Sequence, residues 1–305
     1  MVWRPIKPSA GTWEVKPAVH TLNNSDYGRF NGVGKPSYDS FAVVALDNSR
    51  IQTLLTRISR LSESQVTAVE NIISQFERPF QFDRNPQSDL VSDCVLRELG
   101  DTLRIHHCFS AQAFTKDKFE YALERVFNFC GTAAILSPRG NPGADIAIAG
   151  IPFSLKTQAD AGIKQGFIHI SKFMELGRGD WSDKPEQLVG LRDRFLHHME
   201  GYQRILTLRY FRTEQHHEYE LVEIPKALLL EAEHGTLAMM SGSRQLPKPG
   251  TCSVTDANGK LKFQLYFDGG TERKLQVRHI DKNLCIVHGE WKFGRDIKIT
   301  ESNTL

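Results

Sequence analysis

The chain has 305 residues, 40% hydrophobic and 24% charged, with 38 Lys and Arg against 36 Asp and Glu. This is the composition of a soluble globular protein with one large or two moderate cores, and it excludes a low-complexity chain. The net charge of +2 selects no partner, but residues 241–305 hold 11 basic against 7 acidic side chains, an excess that can support nucleic-acid binding.

Met1-Val2-Trp3-Arg4-Pro5 lacks the apolar run of a signal peptide. No stretch of about 18 apolar residues exists to span a membrane. The five cysteines, Cys94, Cys108, Cys130, Cys252 and Cys285, are odd in number, and no pair has CxxC spacing. A disulfide framework and a cysteine zinc site are therefore not expected, and a reducing cytoplasm is the expected setting.

In chain order, residues 1–40, rich in Pro, Gly, Ser and Asn, read as irregular. Ile51, Leu54, Leu55, Ile58 and Leu61, then Val66, Val69, Ile72, Ile73 and Phe76, recur at helical spacing. With Ser62 as a cap candidate they predict a helical pair over 48–78, ended by Pro79. A polar link is expected over 82–90 and a helix from 91. Thr115 is an N-cap candidate with Asp117 in the first turn. Phe119, Leu123, Val126, Phe127 and Cys130 line one face of the helix that follows, and Gly131 terminates it. Strands are expected over 132–136, 144–149 and 152–158, helices over 163–176 and 185–200, and strands over 204–211 and 219–224. A short helix over 226–233 precedes strands at 261–267, 274–280 and 284–293. The expected fold class is α/β, a mixed β-sheet flanked by helices. It divides into a mainly helical region 1–90, a core 91–235 and a β-rich C-terminal extension 236–305.

The chemistry is concentrated in Asn141-Pro-Gly-Ala-Asp145-Ile-Ala-Ile-Ala-Gly150-Ile-Pro-Phe-Ser154-Leu-Lys156-Thr-Gln158. An antiparallel hairpin turning at Gly150-Ile151 sets Asp145 opposite Lys156 and Ala147 opposite Ser154. Opposed residues share a sheet face, so Asp145, Ser154, Lys156 and Gln158 lie together, with Ile146, Ile148, Phe153 and Leu155 on the other face. A carboxylate that holds a hard cation, beside an ammonium that orients water and offsets charge, suits phosphodiester hydrolysis. A plain cross-strand ion pair, worth about 0.2–1 kcal/mol, is the alternative for Asp145 and Lys156. The pairs His106-His107, His197-His198 and His216-His217 read as surface or satisfied histidines, because adjacent side chains diverge. Arg273, Lys274, Arg278 and Lys282 are candidate contacts to a DNA backbone.

These residues resemble the PD-(D/E)XK nuclease superfamily, which includes most type II restriction endonucleases. Pro142-Gly-Ala-Asp145 stands at its Pro-Asp and Ser154-Leu155-Lys156 at its (Asp/Glu)-X-Lys. The helix carrying Phe119, Glu120 and Leu123 resembles its first core helix, which often supplies a glutamate. Ser154 replaces the usual acid, and Asp160, Glu175, Glu120 and Glu124 are candidate substitutes. With Phe119 at 0°, Glu120 falls at about 100°, at the edge of the apolar stripe, and Glu124 at about 140°, which favours Glu120. The resemblance implies a restriction-endonuclease-like fold and a homodimeric, Mg²⁺-dependent enzyme that cuts double-stranded DNA at a short site. It also implies a cognate DNA methyltransferase encoded nearby. The catalytic candidates are Asp145, Lys156, Ser154, Glu120 and Gln158, with Asp145 and Glu120 on the metal. A repair or defence nuclease of the same superfamily and a catalytically inactive DNA-binding protein are the alternatives.

Overall fold

The computed structural model describes residues 47–138, 143–160, 162–177, 181–270 and 272–295. The irregular reading of 1–40 and Pro142 of the motif lie outside these residues. Helix α1 (Asn48–Ile58) opens on Asp47, whose side chain accepts the Arg50 N–H, and α2 (Glu63–Glu77) on a Ser62/Gln65 capping box. Arg78 is extended before Pro79, and the chain enters strand β1 (Phe80–Arg84) where a polar link was expected. Only Phe82 of β1 is buried, so the segment carries too little apolar signal to be read as a strand. Helix α3 (Asp93–Phe109) buries Val95, Leu96, Leu99 and Leu103, and α4 (Lys116–Phe129) buries Phe119, Ala122, Leu123, Val126 and Phe127. Both stripes follow helical spacing. A disulfide joins Cys94 to Cys130. No spacing rule points to a pair 36 residues apart, so this single bridge was not readable, while Cys108, Cys252 and Cys285 are free.

The chain continues through β2 (Ala134–Leu136), β3 (Ile146–Ile148), β4 (Ile151–Gln158) and β5 (Phe167–Glu175). It then forms α5 (Val189–His198), β6 (Arg204–Arg212), β7 (His216–Glu223) and α6 (Lys226–Leu230). The last strands are β8 (Thr236–Met239), β9 (Gly250–Thr255), β10 (Leu261–Phe267), β11 (Lys274–Asp281) and β12 (Ile286–Gly294). The expected helix over 163–176 is strand β5 instead. Ile168 and Ile170 alternate, but the register against β11 then shifts and Phe173 becomes the next buried residue, which imitates helical spacing.

The central mixed sheet has the order β1-β12-β7-β6-β4-β3-β2, and a second sheet has β5-β11-β10-β9-β8. Among the described strands, only β4 and β6 pair in parallel. β5 pairs in the second sheet and β12 in the central one, so both sheets cross the 235/236 division. One face of the central sheet, with Ile205 and Val222, shares a core with Ile168, Ile170, Phe263, Leu265 and Val277 of the second. The other face meets α3 and α4. There Trp291 Nε1 donates to the Leu96 carbonyl at 2.7 Å, and Gly100 lies so close to Phe82 and Trp291 that a Cβ would meet them at 2.3 and 2.6 Å.

The β3–β4 hairpin pairs Ile146 with Phe153 and Ile148 with Ile151, so its turn is Ala149-Gly150 rather than Gly150-Ile151. Register therefore differs by two residues from the expected one. A slip of two preserves the faces, because side chains alternate with period two. Both turn residues have positive φ, 50° at Ala149 and 79° at Gly150, as a tight two-residue hairpin turn requires. The left-handed conformation costs alanine about 1 kcal/mol and asparagine less. Ala149→Asn is accordingly expected to raise stability by up to about 1 kcal/mol, measurable by urea unfolding. A loss would show that the alanine methyl is needed.

Candidate active site

Asp145 precedes β3, and its carboxylate is fixed from the neighbouring strand. Oδ2 accepts the Leu155 N–H at 2.6 Å and the Ser154 hydroxyl at 3.3 Å. The Lys156 ammonium donates to Ser154 Oγ at 2.9 Å. Ser154 thus links lysine to aspartate, its lone pair taking Nζ–H and its proton turned toward the carboxylate. The other aspartate oxygen, Oδ1, accepts from Lys116 Nζ at 2.8 Å, and the same ammonium is 3.3 Å from Glu120 Oε1. The amphipathic stripe of α4 sets this geometry: Phe119 and Leu123 bury one side, leaving Lys116 and Glu120 at its edge, one turn apart and facing the start of β3.

The two lysines differ in their electrostatics. Burial pushes the Lys156 ammonium down to about 8, with nearby Lys116 adding to the effect and Asp145 opposing it. Its Nζ also lies 5.1 Å from the centre of the Phe173 ring. Burial acts on Lys116 too, but its contacts with Asp145 and Glu120 outweigh it and hold the ammonium above the ordinary lysine range. Burial raises the Glu120 carboxyl, and Lys116 only partly offsets this.

The other expected residues divide. Glu124 Oε1 accepts the Leu136 N–H at 3.0 Å, which turns it toward β2. Glu175 pairs with Lys172 on an exposed part of β5. Gln158 shares the face of Lys156, but its amide oxygen accepts from Arg209 Nε at 2.9 Å, so it is held by a buried arginine rather than by the Asp145 group. Lys274 and Arg278 lie on β11, Arg278 over the Tyr266 ring, whereas Lys282 pairs with Glu220 of the central sheet. Arg273 lies over Trp181.

Sequence reasoning missed Lys116. The four-residue step to Glu120 was visible, but the approach of that helical turn to Asp145 is tertiary. Also missed were Thr207, opposite Lys156 on β6, and Tyr202, whose buried hydroxyls both lack a hydrogen-bond partner. Of the histidine pairs, His107 and His217 stack at 3.6 Å and are bonded to Tyr219 and Tyr210. Burial pushes them down to about 4 and about 3, which marks neutral core histidines.

Two groups offer ligands for a cation. Asp89, Glu223 and His288 bring ligand atoms within 4.8 Å of one another, but Arg204 bonds both Asp89 oxygens, at 2.8 and 2.9 Å, and Glu223 as well. Those acids already neutralise a guanidinium, and a metal there would oppose it. Asp145 and Glu120 also converge on a cation, the Lys116 ammonium at 2.8 and 3.3 Å, but that side chain is 40% exposed, where Arg204 is 17% exposed and pairs with both Asp89 and Glu223. Two carboxylate oxygens are a donor set that fits a hard divalent ion once that ammonium moves aside.

A family model described as SmaI, type II site-specific deoxyribonuclease, matches residues 54–293, a span that includes every residue of this group. The chain is also 44% identical over 247 residues to the type II restriction enzyme SmaI of Serratia marcescens, a match covering 80% of this chain and 98% of that enzyme. No solved structure matches it. The chain belongs to the SmaI family of type II site-specific deoxyribonucleases. It is a restriction nuclease that acts on DNA, and enzymes of this type generally need a divalent metal ion. Among the described residues no helix is long and apolar enough to cross a membrane.

Proposed function

We propose that the chain hydrolyses double-stranded DNA at a short site through Asp145, Glu120, Ser154 and Lys156, as a PD-(D/E)XK-type nuclease using Mg²⁺. The observation that carries this reading is the joining of Asp145 to Lys156 through Ser154 Oγ, on two strands whose order and spacing resemble that superfamily. Asp145 and Glu120 would hold the ion, which supplies Lewis-acid polarisation of the phosphate and of a water. An all-oxygen donor pair favours Mg²⁺, which keeps several waters of its own. Lys156, anchored by Ser154, orients the attacking water and offsets charge on the phosphate. Ser154 fixes that lysine rather than binding metal. Gln158 acts through the placement of β4.

Arg273, Lys274 and Arg278 are proposed backbone contacts, with Lys282 restrained by Glu220. The remaining proposals are a homodimeric, cytoplasmic enzyme accompanied by a protecting DNA methyltransferase, with the division 1–90, 91–235 and 236–305 for its regions.

The test is incubation of plasmid and genomic DNA with and without Mg²⁺. Discrete fragments are expected only with the ion. Asp145→Asn and Glu120→Gln should each lower the rate by at least about 100-fold. Glu124→Gln, whose carboxylate serves Leu136, should cut at nearly the wild-type rate. Full activity in Asp145→Asn would remove the site from consideration, and an inactive Glu124→Gln beside an active Glu120→Gln would reassign the second carboxylate.

A further inference from the structure

The Lys116 ammonium lies between Asp145 Oδ1 at 2.8 Å and Glu120 Oε1 at 3.3 Å. These are the carboxylates proposed to hold the divalent ion, and the inference rests on that reading. A positive charge supplied by the chain stands where their fields converge, so a second cation must displace it or be repelled by it. The side chain is able to move. It belongs to the first residue of α4, is 40% exposed and has a flexible stem. It also lines an open cavity of about 400 Å³ together with Lys156, Ser171 and Lys172, and no carboxylate belongs to that lining. A cavity with three lysines and no acid favours an anion, and the backbone phosphate is the anion that a DNA-cutting enzyme meets.

We propose that Lys116 is an internal counter-ion that closes the metal site in the free enzyme and transfers its ammonium to a DNA phosphate in the adjoining cavity when the site is loaded. Metal and DNA then favour the same position of one side chain, so each strengthens binding of the other. The free enzyme holds the ion weakly, and its readiness to cut depends on DNA being present.

The deciding measurement is a Mn²⁺ titration of the full-length, metal-free protein without DNA, with free Mn²⁺ followed by its paramagnetic resonance signal. Lys116→Met keeps the length of the side chain and removes its charge. It is expected to bind Mn²⁺ about 10-fold more tightly than wild type, within the usual range of coupling between sites. By reciprocity, adding Ca²⁺ should strengthen binding to a plasmid fragment that wild type cuts in Mg²⁺, and Lys116→Met should reduce that gain by a similar factor. Melting temperature serves as the folding control. Equal or weaker Mn²⁺ binding by Lys116→Met overturns the proposal. Asp145→Asn separates the two levels. If it loses Mn²⁺ binding while Lys116→Met gains none, the counter-ion role alone falls. If Asp145→Asn binds Mn²⁺ like wild type, the metal assignment itself falls, and the counter-ion role with it.

Discussion

Replacing Lys156 by methionine is expected to give a protein that no longer cuts DNA and is harder to unfold. The side chain is 8% exposed and burial pushes its ammonium down to about 8, from an ordinary 10.5 in the unfolded chain. Between those values the unfolded chain holds a proton that the folded one has released, so stability rises with pH across the window. Below about 8 the cost is fully present, about 3 kcal/mol at neutral pH. Methionine fills similar space without the charge, and loses the bond to Ser154 and the contact with Phe173. A net gain of about 2 kcal/mol at pH 7 is expected. The signature is in the pH dependence. Urea unfolding of wild type from pH 7 to 10 should show stability rising relative to Lys156→Met. Parallel curves would mean that the buried lysine carries no such cost, and undiminished cleavage would remove Lys156 from the chemistry.

Arg209→Met is expected to have the largest effect in the opposite direction. This guanidinium is fully buried and pairs with Glu220, donates to Gln158, and holds the Lys164, Gln165 and Phe167 carbonyls at 2.6, 3.3 and 2.8 Å. It ties β4, β6 and β7 to the segment that leads into β5. Removing it leaves Glu220, 3% exposed, with Lys282 as its remaining cation, and takes one donor from each of the three carbonyls. Breaking a buried pair from one side costs about 3–5 kcal/mol. The double variant Arg209→Met with Glu220→Met should be less destabilised than the sum of the single ones, because it no longer buries a carboxylate that has lost its arginine. Strict additivity would place the cost in the carbonyls instead.

The parts of this site readable in the sequence were those set by local periodicity. Alternation along β4 put Ser154, Lys156 and Gln158 on one face, and that assignment survives a register two residues away from the expected one. The stripe on α4 ranked Glu120 nearer the buried side than Glu124, and the bond from the Leu136 N–H gives Glu124 another task. Features that depend on distant segments were not readable. Lys116 meets Asp145 across 29 residues, and Gln158 is taken by Arg209 across 51. β5 was misread because a shift in pairing breaks its alternation, and β1 because an edge strand with one buried side chain has little pattern to read.

The place of β12 in the central sheet bears on how the molecule is assembled. Its nine residues fill the gap between β1 and β7, pairing Phe293 with Phe80 on one side and with His217 on the other. A chain growing from the ribosome has β1 and β7 long before it has the strand that joins them. The sheet is therefore completed by the last described strand, across a loop whose closure is entropically slow. Any product that stops short of Ile286 leaves both flanking edges bare and their backbone groups open to pairing with another chain. For this polypeptide, the order in which residues are made is not the order in which the sheet closes.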